Sequence, residues 1–95
     1  MPIKGVTEKE QEIIDNILKL YKNKYEFYYY GSRVKGDFRP LSDLDILVKG
    51  DVSLDDLDTM KTLSDNSNLP YVVNFSYDID EKFYNLIKGD LVKAF

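Results

Sequence analysis

The sequence predicts an α/β (α+β) domain: a small mixed β-sheet of three or more strands covered by helices, with residues 1–95 as a single unit. Three observations carry this expectation. Helix-spaced apolar stripes and β-favouring runs follow one another in the order α, β, β, α, β, α. A hydrophobic content of 43%, with eight Tyr and five Phe, is enough for one core in a chain of 95 residues. No Pro- or Ser-rich linker and no repeat period interrupts it.

The elements follow in order. Thr7 and Glu10 have capping-box spacing, and Ile13, Ile14, Ile17, Leu18 and Tyr21 fall on one stripe, which predicts a helix from Thr7 to Asn23. The aromatic run Tyr25 to Tyr30 reads as a strand, with Phe27 and Tyr29 opposite Tyr28 and Tyr30 and the tyrosines packed against the first helix. Gly31 to Ser42 holds two Gly, a Pro and four charges, which suits a loop with one helical turn. Asp43 to Val48 resumes as a strand. Ser53 and Asp56 start a second long helix, whose Leu54, Leu57, Met60 and Leu63 are expected to face the core, and Asn66 to Pro70 stops it. Tyr71 to Tyr77 is a third strand, and Asp80 caps a short last helix with Phe83, Leu86 and Ile87 before Gly89.

Composition removes several kinds of chemistry. The net charge of −4 argues against general nucleic-acid binding, which needs phosphate neutralisation. Without Cys there are no disulfides, thiolate metal sites or cysteine nucleophiles. Without His the commonest general base and all imidazole ligands are missing, so any metal must be hard and oxygen-bound. No apolar run approaches the roughly 18 residues of a membrane span, and a cytoplasmic location is expected.

The chemistry concentrates in residues 31–48. Asp43 and Asp45 are two apart in a strand pattern, so their carboxylates leave one face while Leu44, Ile46 and Val48 leave the other. Two like charges that close repel unless a cation compensates, and Mg²⁺ with a phosphate-bearing substrate fits best. Asp45, between two apolar neighbours, is costly unless it meets solvent or a ligand. Gly31 and Ser32 follow a strand directly, where a sharp turn brings N–H groups and a hydroxyl close to an anion. Both arginines of the protein, Arg33 and Arg39, lie with Lys35 in this loop, against a single Asp37. A cationic loop beside a carboxylate pair suits a metal-bound polyphosphate. Each piece also has an ordinary reading: a strand-ending turn, a cap, a solvated charged face, and aromatic residues such as Phe38 and Tyr71 in the core rather than stacked on a base. The spacing Gly31 to Gly36 lacks the Lys and Ser or Thr of a Walker A loop, and no GxGxxG is present.

Taken together, Gly31-Ser32, ten residues, and Asp43-Leu44-Asp45 resemble the GS-x10-DxD signature of the DNA polymerase beta-like nucleotidyltransferases. The run Gly31-Ser32-Arg33-Val34-Lys35-Gly36, then Ser42-Asp43-Leu44-Asp45-Ile46-Leu47-Val48, is similar to the minimal, MNT-type members of bacteria and archaea. Leu69-Pro70-Tyr71-Val72-Val73-Asn74 resembles a later strand of the same family.

The resemblance implies a nucleotidyltransferase-like core and transfer of a nucleoside monophosphate, AMP from ATP or another NTP, to a hydroxyl of a partner protein or small molecule. Two Mg²⁺ ions are expected, held by Asp43 and Asp45. Gly31, Ser32, Arg33 and Lys35 are expected on the nucleotide phosphates. The family's third acid falls at Asn74, an amide that carries no charge and accepts no proton at neutral pH. The alternative is therefore a catalytically impaired nucleotide-binding or partner-binding module. Minimal members work with a separately encoded helical HEPN-type protein, as antitoxin of a toxin-antitoxin pair or as half of a split transferase. With 95 residues leaving no room for an acceptor domain, such a partner is expected here.

Overall fold

Thr7 begins the first helix by exchanging two bonds with Glu10: the Glu10 N–H donates to the Thr7 hydroxyl at 3.1 Å, and the Thr7 N–H donates to the Glu10 carboxylate at 3.2 Å. In this computed structural model, which describes residues 3–37, 39 and 41–95, the helix is α1, Glu8–Lys19. It ends before the expected Asn23. Residues 20–24 continue as hydrogen-bonded turns, with Tyr25 N–H donating to the Tyr21 carbonyl at 2.9 Å, and so aim the chain into a strand. The remaining elements are β1 (Glu26–Tyr30), α2 (Ser32–Lys35), β2 (Leu44–Lys49), α3 (Leu54–Asp65), β3 (Val73–Ser76), α4 (Glu81–Ile87), a 3₁₀ turn (Lys88–Asp90) and β4 (Val92–Lys93).

The strands form one mixed sheet in the order β3-β2-β1-β4. The β1 strand runs antiparallel to both β2 and β4, and β2 runs parallel to β3. The crossover between β2 and β3 is α3, the helical connection that parallel neighbours require. β4 was not anticipated, because two residues are too few to show an alternating pattern.

One face of the sheet is closed by α1 and α3. Phe27, Tyr29, Leu44, Ile46, Val48 and Val73 meet Ile14, Leu18 and Met60 there, all buried. On the opposite face the short α4 lies over Tyr30 and Leu47, with Ile87 as its buried anchor. The tyrosine run is thus divided between the faces, as consecutive strand residues must be. Tyr29 accepts a hydrogen bond from the Gln11 amide of α1 at 3.1 Å. Tyr30 packs edge-on against Phe83 of α4, ring centroids 6.0 Å apart. Packing against the first helix therefore holds for Tyr29 and fails for Tyr28 and Tyr30.

The expected core stripe of α3 also needs correction. Met60 is buried and Leu57 packs against the core, but Leu54 and Leu63 are 66% and 38% exposed. At roughly 100° per residue, nine residues turn about half a revolution beyond whole turns, so Leu54 and Leu63 emerge on opposite sides. The buried partner of Met60 is Ser64, four residues on. At the start of α3 the Asp56 carboxylate accepts bonds from Lys24 Nζ and the Tyr25 hydroxyl, both at 2.6 Å. Lys24 above all, then Tyr25, holds that carboxyl below the usual range. Asp56, expected only to start the helix, thereby fastens α3 to the start of β1.

Candidate active site

Pairing register assembles the site. Asp45 lies opposite Tyr30 of β1 and beside Asn74 of β3. Its neighbours Leu44 and Ile46 enter the core under α1 and α3, so its own side chain leaves on the α4 face with Leu47. Asp43 stands one residue before β2, at a point fixed by the Leu44 N–H donating to the Val72 carbonyl at 2.9 Å. The Asn74 Nδ2 donates to Asp43 Oδ2 at 2.8 Å and to Asp45 Oδ1 at 3.4 Å. One nitrogen reaches both carboxylates, which confirms that the two acids project together. Burial raises the Asp45 pKa, the Asn74 hydrogen bond opposes the shift, and the charge of Asp43 adds to it.

Gly31 forms the other flank. Its φ of +87° is a conformation that L side chains rarely adopt, and a Cβ there would collide with the Asp45 carboxylate. Glycine is needed at this position on both counts. Ser32 opens α2 directly after it, half-buried. Gly31 therefore stands against Asp45, with Ser32 next to it in the chain.

The cations are arranged differently from expectation. Arg33 is fully buried, and its guanidinium donates to the carbonyls of Ser42, Lys4 and Gly5 at 3.0, 3.0 and 3.2 Å. It also lies 4.2 Å from the centroid of the Tyr71 ring. Arg33 thus holds the N-terminal segment and the 31–42 loop together; these bonds turn it inward, away from a phosphate-binding role. Tyr71 is core, as its ordinary reading had it, and donates to Glu10 at 3.2 Å. Lys35 is paired with Asp90 at 3.5 Å on the surface. Arg39 is exposed, its backbone N–H donating to the Ser42 hydroxyl at 2.7 Å, while Phe38 lies outside the described residues.

A hydroxyl pair unmarked in the sequence lies on the same face, Tyr30 OH and Ser76 Oγ, 2.9 Å apart. Burial raises the Tyr30 pKa, and the charge of Asp45 adds to it. The parity of β3, on which Ser76 follows Asn74 by two, was the available signal. Asp78, four residues from Asn74, lies beyond β3 and lines a cleft with Leu47 to Gly50 instead.

Among the described residues no group of three or more acidic side chains converges to hold a metal. The donor set is two carboxylates and one amide, all oxygen donors once the amide presents its carbonyl, and this suits a hard divalent cation. Among the described residues no helix is long and apolar enough to cross a membrane.

Comparison with known proteins agrees with this arrangement. The nucleotidyltransferase domain family matches residues 10–94. No curated protein matches. A crystal structure from Sulfolobus solfataricus, of a protein assigned as a nucleotidyltransferase, is 25% identical with a TM-score of 0.50, over 87% of this chain and 73% of that one. With the paired acids, the glycine that accommodates them and a family match over nearly the whole chain, this protein belongs to the nucleotidyltransferase domain family of the DNA polymerase beta-like superfamily.

Proposed function

We propose that the domain transfers a nucleoside monophosphate, AMP from ATP, to a hydroxyl of a partner protein or small molecule. The acceptor hydroxyl gives its proton to solvent as its oxygen forms a bond to the α-phosphorus, the bond to the β-phosphate oxygen breaks, and pyrophosphate leaves. The observation that carries this reading is the convergence of Asp43 and Asp45 on one point beside Gly31. Asp43 and Asp45 would hold Mg²⁺, which when bound supplies charge neutralisation for the transferring phosphoryl group. Gly31 provides the close approach of backbone to carboxylate, and Ser32 a hydroxyl for the terminal phosphates. Asn74 orients the two acids but takes no proton, so turnover is expected to be slow.

The acceptor is best supplied by a separately encoded helical, HEPN-type protein in the cytoplasm, with this domain as antitoxin. Incubation with labelled ATP, Mg²⁺ and a helical protein encoded next to it is expected to label that partner. No transfer by the natural sequence, together with transfer by Asn74→Asp, would overturn the enzymatic reading. The second reading, a nucleotide- or partner-binding module, is favoured by the same amide, because it fills the place of the family's third acid. Neutralisation of the partner that survives loss of both aspartates would select it.

A further inference from the structure

We propose that Asn74 limits the Asp43–Asp45 site to a single divalent cation, the one that arrives on a nucleotide's phosphates, and serves as a neutral clamp on the acids when no cation is present. The inference rests on the nucleotide-binding reading above and concerns how that site is loaded.

Charge is the first reason. Two carboxylates neutralise one divalent cation, and a second cation gripped by the protein as well as by the phosphates would need another negative side chain. Among the described residues no third acid converges here. Geometry is the second. The carboxylate oxygens Asp43 Oδ2 and Asp45 Oδ1 already converge on the Asn74 amide nitrogen, at 2.8 and 3.4 Å. The amide carries two N–H donors, one for each acid. The third reason is confinement, since the other oxygen of Asp45, Oδ2, lies against Gly31 where even a Cβ finds no room. The open coordination direction of Asp45 is therefore the one that Asn74 occupies. A cation has to displace this amide or turn it to present its carbonyl, and one cation satisfies both acids when it does so.

The role of a clamp follows from the same contacts. Two converging carboxylates with no counter-charge would swing apart, and two amide N–H groups keep them in place without adding charge. The site is thereby oriented before loading, at the cost of a second metal position.

The test counts bound Mn²⁺ by electron paramagnetic resonance with the whole chain and α,β-methylene ATP as a non-transferable probe. The wild type is expected to bind one Mn²⁺ per chain with the nucleotide, and Asn74→Asp two. Metal-free Asn74→Asp is expected to melt several degrees lower than the wild type and to recover on adding Mn²⁺. Two Mn²⁺ in the wild type, or one in a folded Asn74→Asp, would overturn the inference while leaving nucleotide binding intact. Asn74→Leu, which keeps the volume and removes the donors, is expected to melt lower without metal and still bind one Mn²⁺; unchanged melting would refute the clamp. Absence of both nucleotide and Mn²⁺ from the wild type would instead remove the nucleotide-binding reading and this inference with it.

Discussion

The two faces of the sheet are built for different ends. Beneath α1 and α3, side chains from β1, β2 and β3 are buried together with Leu18 and Met60, and the Tyr29 hydroxyl among them takes a hydrogen bond from the Gln11 amide. Beneath α4 the buried set shrinks to Tyr30, Leu47 and Ile87, and the next positions along β2 and β3 are Asp45 and Asn74. Like charges and a raised carboxyl pKa are tolerated at that end because the closed face supplies stability independently. A strand with one face in the core and one near solvent can thus hold a costly group rigidly, since its alternate residues fix the backbone.

The largest effects should appear on the closed face. Leu18→Ala is expected to cost about 3 kcal/mol in urea unfolding, within the range for truncating a buried leucine. Leu86→Ala, on the outer side of α4 and 71% exposed, is expected to change stability by less than about 0.5 kcal/mol. Equal costs would mean that α4 buries more than its contacts indicate.

A comparable loss is expected at high pH. Burial pushes the Tyr29 hydroxyl from 10.0 up to about 12. Its folded pKa lies above the unfolded one, so its contribution is complete below pH 10 and is lost as the pH rises through about 12. The difference corresponds to about 3 kcal/mol. Tyr29→Phe should flatten that alkaline decline, followed by denaturant unfolding between pH 9 and 12.

Arg33→Met is expected to cost about 2 kcal/mol, because the carbonyls of Lys4, Gly5 and Ser42 lose their donors. Nucleotide affinity of the folded protein should stay within about twofold of wild type, since the guanidinium is buried on main-chain carbonyls. A selective loss of affinity with unchanged stability would return Arg33 to the phosphates.

A smaller change than that of Arg33→Met is expected at Asp45, with the opposite sign. Burial raises the Asp45 pKa, so the native state binds more protons than the unfolded chain, and stability falls as pH climbs from 3.8 through the raised folded value. Asp45→Asn should therefore raise the melting temperature of the metal-free protein at neutral pH, by a few degrees, while abolishing nucleotide binding.

Legibility in the sequence followed locality. Thr7 with Glu10, Ser53 with Asp56, and Asp80 announced their helices, because a cap is a contact across three residues. Asp43 and Asp45 announced a shared face, because strand parity is local as well. The position of Asn74 beside them depends on a parallel register across an intervening helix, which the resemblance supplied and spacing did not. Arg33 was misplaced for the same reason. Its partners Lys4 and Gly5 lie far off in sequence, and the arginine and glycine of the motif are two residues apart yet serve core and site respectively.

The most direct measurement is a calorimetric titration of the whole chain with MgATP, repeated on Asp43→Ala with Asp45→Ala. Saturable heat in the wild type that disappears from the folded double variant is the predicted result. Equal heats from the two proteins would contradict a nucleotide site built on these acids.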